Sequence, residues 1–275
     1  MKANYDAQKG LDSMAELYAV VTGASSGIGA EMAKYLARQG YDMILTARRT
    51  ARLEKLKRAF KRRYGTKTIV ISADLSTREG CDELYEQISG YDIEVFINNA
   101  GFGDAGPFIE TDLEKDISMI DVNVRAVHIL TKLMLRYFKE RGSGYLLNVA
   151  SSAGLFPAGP FMATYYSTKA YVTSLTSAIA EELREQGSDV YIGALCPGPV
   201  DTEFNEVANV QFALNGISPK YCAVYAIKQM FKRKEIIIPT FRMKAVIFLQ
   251  RFARRKTIVK MTAGQQKKKI YKKDL

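Results

Sequence analysis

Short apolar runs and longer amphipathic stretches alternate along this chain from residue 17 to residue 238. The runs at 17–21, 42–47, 68–72, 94–97, 145–149, 189–195 and 235–238 have strand length and are bounded by turn residues. Between them the apolar positions recur at helical spacing. One such stretch carries Met32, Leu36 and Ala37, and another runs unbroken from 112 to 138. A third spans 161–186, and Ser218-Pro219 supplies an N-cap and an N1 proline for a fourth. Ser76-Thr77-Arg78-Glu79 has the form of a capping box. Residues 203–217 are polar with scattered apolar positions and read as a mobile substrate loop. The alternation predicts an α/β fold: one doubly wound, Rossmann-type parallel sheet of about seven strands, helices on both faces, over residues 17–240. Residues 1–16 read as a flexible arm, with Met14 as an alternative start, and 241–275 as a basic amphipathic helix followed by a disordered tail after Gly264.

Composition narrows the chemistry. The 275 residues are 47% hydrophobic and 25% charged, ordinary for a globular domain with a sizeable core. Cys81, Cys196 and Cys222 show no metal or redox spacing and read as free thiols in a reducing, cytoplasmic setting. One histidine, His128, stands among Val127, Ile129 and Leu130 and reads as a packing residue; no metal site is expected. The net charge of +11 resides in the C-terminal segment. From Phe241 onward twelve Lys and Arg face one acid, Asp274, which leaves 28 basic and 28 acidic residues in the body. Attraction to anionic partners therefore belongs to that end.

Three stretches point to a nucleotide. The run at 17–21 leads into Thr22-Gly23-Ala24-Ser25-Ser26-Gly27-Ile28-Gly29, which opens a helix. Strand, glycine turn and helix bring a pyrophosphate to a helix N-terminus. The second strand ends at Arg48-Arg49, about twenty residues on, where an acid would select NAD and an arginine can pair with the 2′-phosphate of NADP. This predicts NADP(H) in preference to NAD(H). Asn98-Asn99-Ala100-Gly101 places small and amide side chains where a ribose lies against the sheet.

The chemistry centres on Tyr165 and Lys169, four apart on one helix and so on one face. A fixed ammonium beside a phenol favours the phenolate and lowers the pKa from about 10. That would make Tyr165 a general acid or base near neutrality. Ser151 and Ser152 end the fifth strand, as cap residues or as hydrogen-bonding catalytic groups.

Taken together, Thr22-Gly23-x-x-x-Gly27-Ile28-Gly29, Asn98-Asn99-Ala100-Gly101, Tyr165-x-x-x-Lys169 and Pro197-Gly198 resemble the classical short-chain dehydrogenase/reductase family in order and spacing. The resemblance implies roles. Tyr165 would be the acid/base, and Lys169 would hold the nicotinamide ribose. Ser152, thirteen residues before Tyr165, would bond the substrate oxygen in preference to Ser151. Asn123 would position a water in a proton relay. Gly23, Ser25, Ser26, Gly27, Ile28 and Gly29 would cradle the pyrophosphate. Asp74 and Leu75 would border the adenine, and Asn99, Ala100 and Gly101 its ribose. Pro197, Gly198, Val200 and Thr202 would flank the nicotinamide. Homo-oligomerisation is expected on the same ground.

The function so implied is an NADP(H)-dependent oxidoreductase that interconverts a ketone or aldehyde and an alcohol. The apolar run Gly154–Phe161 suggests an apolar wall and hence a hydrophobic substrate, hydroxysteroid-like or 3-oxoacyl-like. The alternative is a non-catalytic NADP-sensing module that binds a partner or a membrane through its basic end. That end offers two readings: a helix packed over the substrate cleft, or an interfacial helix at a membrane surface. Specific nucleic-acid binding is not expected.

Overall fold

The computed structural model describes residues 16–208 and 216–270. The N-terminal arm short of Glu16, residues 209–215 of the expected substrate loop, and 271–275 of the expected tail lie outside the described residues.

The strands are β1 (Tyr18–Thr22), β2 (Asp42–Thr46), β3 (Thr68–Ile71), β4 (Ile93–Asn98), β5 (Gly144–Val149), β6 (Val190–Leu195) and β7 (Ile236–Ile237). They form one sheet in the order β3-β2-β1-β4-β5-β6-β7. Every pairing is parallel. The order reverses beside β1, which sets a crevice at the carboxyl ends of β1 and β4, the usual place for a ligand in such sheets.

The helices are α1 (Gly27–Arg38), α2 (Thr50–Tyr64), α3 (Arg78–Ile88), α4 (Leu113–Ile120), α5 (Val127–Arg141), α6 (Ala163–Glu185), α7 (Phe204–Val207), α8 (Pro219–Met230), α9 (Phe241–Leu249) and α10 (Arg255–Ile270). Strand alternation distributes them over two cores. On β1, Ala19 and Val21 face Met32, Ala33 and Leu36 of α1 and Ala223 and Ile227 of α8. Tyr18 and Val20 face Leu84 and Ile88 of α3 and Leu130, Met134 and Phe138 of α5. With both faces covered, all five β1 residues are buried, which is why the strand is apolar throughout. Each fully buried large apolar side chain contributes about 1.5–3 kcal/mol.

Four local expectations change. The N-cap moves by one residue and the box does not form: Thr77 caps α3, its hydroxyl accepting from the Gly80 N–H at 3.0 Å, and glycine at N3 has no side chain to return the bond. Ser76 is taken by Asp74, whose carboxylate accepts from both its N–H and its hydroxyl. The helix expected over 112–138 is broken by a π-helical turn, Asp121–Ala126, which holds Asn123. The helix expected from 161 begins at Ala163, because Phe161 has a left-handed φ of 65°. The C-terminal segment is two helices, not one, and α10 runs past Gly264 to Ile270. Ile258, Thr262 and Gln266, one turn apart, form its buried stripe. Two of the three are polar, so the stripe does not show as an apolar period.

Candidate active site

A cleft of about 530 Å³ opens over the carboxyl ends of the strands. Its floor is two motifs sewn together. The Thr22 hydroxyl accepts from the Asn99 and Ala100 N–H groups at 2.9 and 3.0 Å. The Asn99 amide donates to the Thr22 and Gly23 carbonyls at 2.9 and 3.1 Å. Gly23 has φ +63°, and a Cβ there would come within 2.8 Å of the Ala100 Cα. Only glycine meets both demands. Ser25, Ser26, Gly27 and Ile28 line the cleft at the start of α1, whose first turn holds no acid. Gly29 does not line it. A Cβ there would lie 2.3 Å from the Asn99 amide nitrogen, so Gly29 seats the helix against Asn99.

Arg48 and Arg49 both line the cleft at the end of β2 and are exposed. Arg49 donates to the Ser25 and Ser26 hydroxyls at 3.2 and 3.0 Å. It also pairs with Glu203 at 3.0 Å, and Glu203 reaches Arg52 at 2.6 Å. Exposed pairs of this kind are worth about 0–1 kcal/mol and yield readily to a better anion. Asp74 and Leu75 lie alongside. The Asp74 carboxyl is held below its usual range, chiefly by the Ser76 N–H and hydroxyl and to a smaller degree by Arg48.

Tyr165 and Lys169 come together as their spacing requires, with Lys169 Nζ 5.9 Å from the Tyr165 ring centre. Both are buried and both line the cleft. The Lys169 ammonium donates to the Val149 carbonyl at 3.0 Å. The electrostatics differ from expectation. Burial pushes the Tyr165 phenol up to about 12, and the opposing influence is a hydrogen bond with Ser151, not the ammonium. Burial pulls Lys169 down to about 8. Removal from water dominates both shifts, because each charged form loses its hydration.

Ser151 and Ser152 both line the cleft. Of the two, it is the Ser151 hydroxyl that holds the Tyr165 phenol down against burial. Ser151 is extended (φ −168°, ψ 159°), so it continues the alternation of β5 and points as Val149 does. Ser152 begins a 3-10 turn, Ser152–Leu155, and its N–H is tied to the Pro197 carbonyl at 2.8 Å. A residue count across a loop cannot register that change of direction.

Asn123 is wholly buried and is absent from the lining. Its amide donates to the Phe102 carbonyl at 2.8 Å and to the Thr168 hydroxyl at 3.2 Å, and accepts from the Phe102 N–H at 3.1 Å. Both amide hydrogens are committed, so the side chain braces the 101–102 turn against α6. Asn99, Ala100, Gly101, Pro197, Gly198, Val200 and Thr202 all line the cleft. His128 stands apart, its Nδ1 2.7 Å from the Tyr171 hydroxyl.

The apolar wall is built from different residues than the sequence suggests. Phe102, Met162, Tyr166 and Phe204 line the cleft, with Phe204 5.4 Å from Tyr165 ring to ring. Residues 154–161 do not; a Cβ on Gly154 would strike the Lys169 carbonyl, so that residue packs against α6. Gln266 of α10 also reaches the cleft. Nothing in the sequence signals it, because it follows Gly264 in a lysine-rich stretch.

Residues 17–211 match the model of the short chain dehydrogenase family. The chain belongs to that family. It is 34% identical over 200 residues to a very-long-chain 3-oxoacyl-CoA reductase of Anas platyrhynchos, covering 71% of this chain and 63% of that protein. The chain thus spans somewhat under two thirds of that relative. Among solved structures it resembles a short-chain dehydrogenase from Sphingobium yanoikuyae in complex with NADPH (TM-score 0.77, 28% identity, 86% of this chain and 94% of that one). It also resembles an alcohol dehydrogenase from Thermococcus sibiricus complexed with 5-hydroxy-NADP (TM-score 0.71, 29% identity, 81% and 96%). In this short-chain dehydrogenase, no group of three or more His, Cys, Asp or Glu among the described residues could hold a metal ion. No described helix is long and apolar enough to cross a membrane.

Proposed function

We propose that this protein is an NADP(H)-dependent reductase of 3-oxoacyl thioesters, acting on the ketone carbon. The observation that carries the reading is the convergence of Tyr165, Lys169 and Ser151 on an apolar-walled cleft whose other end is the glycine turn. The residues present fit the cofactor. The close approach at Gly23 and the acid-free start of α1 suit a pyrophosphate. Arg48 and Arg49 suit a 2′-phosphate, and Lys169 the nicotinamide ribose. When bound, NADPH supplies the hydride. Tyr165, protonated at neutral pH because its pKa is about 12, gives its proton to the ketone oxygen. Ser151 donates a hydrogen bond where negative charge develops on that oxygen. Phe102, Met162 and Phe204 exclude water and suit an acyl chain. The 3-oxoacyl preference is supported by the relative's name, and the NADP preference by the two arginines and the cofactors in the similar structures.

Initial rates with 3-oxoacyl thioesters, NADPH and NADH in parallel, test the reading. NADPH is expected to be preferred. Arg48→Ala/Arg49→Ala should raise the KM for NADPH by about tenfold to a hundredfold, the loss of one or two charge-assisted hydrogen bonds. The KM for NADH should stay within about threefold. Equal KM values for NADPH and NADH in the unaltered protein would remove the NADP assignment. Absence of any turnover, with NADPH bound, would leave the sensor reading.

We also propose that α9 rests on an anionic membrane surface. None of its residues is buried; Phe241, Phe248 and Leu249 are exposed, as is Phe252 in the 3-10 turn, Gln250–Phe252, that continues it. Residues 241–256 carry six Lys and Arg and no acid. Two copies meeting through this face would repel each other, whereas anionic lipid neutralises it. The protein should co-sediment with phosphatidylserine-containing vesicles and not with pure phosphatidylcholine. Phe248→Ser/Phe252→Ser should weaken that binding by roughly tenfold or more. Unchanged sedimentation of the variant would rule out α9 as the contact.

A further inference from the structure

Tyr166 and Gln266 take no part in the chemistry above, yet both line the cleft. Their ring and chain are fixed from several sides. The Tyr166 ring lies 6.4 Å from that of Tyr165 at an interplanar angle of 76°. It rests on the Gly159 backbone so closely that a Cβ there would fall 2.1 Å from its Cγ. The Gln266 amide donates to the Tyr166 hydroxyl at 2.5 Å. Gln266 is 1% exposed and is the last member of the buried stripe of α10. The C-terminal segment is itself anchored on the loop ahead of α6. Gln250 donates to the Leu155 carbonyl at 2.7 Å, and Arg255 to the Pro157 carbonyl at 3.0 Å. Lys267 Nζ sits 5.3 Å from the centre of the Phe161 ring.

This pair is not saturated. The Tyr166 hydroxyl accepts from Gln266 and has no acceptor for its own proton among the described residues. Gln266 Oε1 is buried without a partner. A half-satisfied polar pair inside an apolar wall of Phe102, Met162 and Phe204 is costly unless something completes it. Burial holds the Tyr166 phenol up at about 12, so it stays a donor over the whole working pH range. A donor beside Tyr165 suits a second oxygen close to the reacting one.

We infer that the Tyr166 hydroxyl, held in place by Gln266, donates a hydrogen bond to the thioester carbonyl of a 3-oxoacyl substrate while Tyr165 engages the ketone. This deepens the function proposed above and rests on it. Tyr166 is then a specificity-determining contact and Gln266 a positioning residue. The pair would distinguish a 1,3-dicarbonyl from a simple ketone of the same chain length, because the latter leaves the Tyr166 donor unmatched.

The experiment compares a 3-oxoacyl thioester with a mono-ketone of equal length in the unaltered protein, Tyr166→Phe and Gln266→Leu. The ratio of kcat/KM for thioester over mono-ketone should fall about tenfold in Tyr166→Phe, the loss of one hydrogen bond to a carbonyl. It should fall less in Gln266→Leu, and Gln266→Asn, which keeps an amide donor one methylene shorter, should recover part of it. NADPH affinity, followed by fluorescence, should be unchanged in all three. An unchanged ratio in Tyr166→Phe overturns the inference while leaving the reductase reading intact. Loss of NADPH binding in that variant also overturns it, by making Tyr166 a purely structural residue. If the unaltered protein reduces the mono-ketone but not the thioester, the 3-oxoacyl reading itself fails and this inference falls with it.

Discussion

Tyr165→Phe should lower kcat/KM for carbonyl reduction by about 10²–10⁴-fold, the usual contribution of a positioned proton donor. NADPH affinity should stay within about twofold, because the ring alone packs against Phe204 and Tyr166 and the variant keeps it. The pH profile carries a second signature. With the phenol at about 12, the donor is in its acid form throughout the neutral range. The alkaline fall in reduction should therefore follow Lys169, which loses its proton at about 8. Stability should move the other way. Lys169 is lowered from 10.5 to about 8 in the folded protein, so between those values the unfolded chain binds more protons and this group makes stability rise with pH. Tyr165 is raised from 10.0 to about 12, so from 10 upward the folded protein binds more protons and that contribution reverses. Rates and thermal midpoints measured from pH 7 to 10 should diverge. Substantial turnover by Tyr165→Phe would remove the phenol from the mechanism.

What could be read from the sequence follows from which forces act locally. The sheet was legible because strands covered on both faces must be apolar at every position, and β1 is. The glycine turn and the 98–101 stretch were legible because backbone approach tolerates so few residue types, as at Gly23. The pairing of Tyr165 with Lys169 was legible because a helix fixes the geometry of i and i+4. Their protonation was not, since it depends on burial contributed by α4, the 102 turn and α7. The α10 helix was hidden for a related reason. Its buried stripe is Ile258, Thr262 and Gln266, and a stripe that is two-thirds polar gives no hydrophobic period. In the basic end, α10 packs over the cleft, while α9 leaves Phe241 and Phe248 exposed.

Ser151→Ala should cost about 10²–10³-fold in kcat, and Ser152→Ala less than about threefold. Thirteen residues separate Ser152 from Tyr165 and fourteen separate Ser151, so the two differ by a single step along the chain. Their directions differ far more. Ser151 keeps the extended backbone of β5 and turns its hydroxyl toward the phenol, whereas Ser152 enters the 3-10 turn and anchors its backbone on Pro197. On the proposed mechanism Ser151, whose hydroxyl acts on the phenol, is the serine placed to bond the substrate oxygen. Ser151 also caps that turn, its hydroxyl accepting from the Ala153 N–H at 3.1 Å, so Ser151→Ala should lose stability by on the order of 0.5–2 kcal/mol as well. Rates taken well below the thermal midpoint separate the two losses. Ser151→Thr adds a further control, since it returns a hydroxyl at the cap and should restore stability more fully than rate. The reverse pattern, a dead Ser152→Ala beside an active Ser151→Ala, would mean that the hydroxyl bonded to Tyr165 here is a cap and nothing more, and that the chemistry runs through its neighbour.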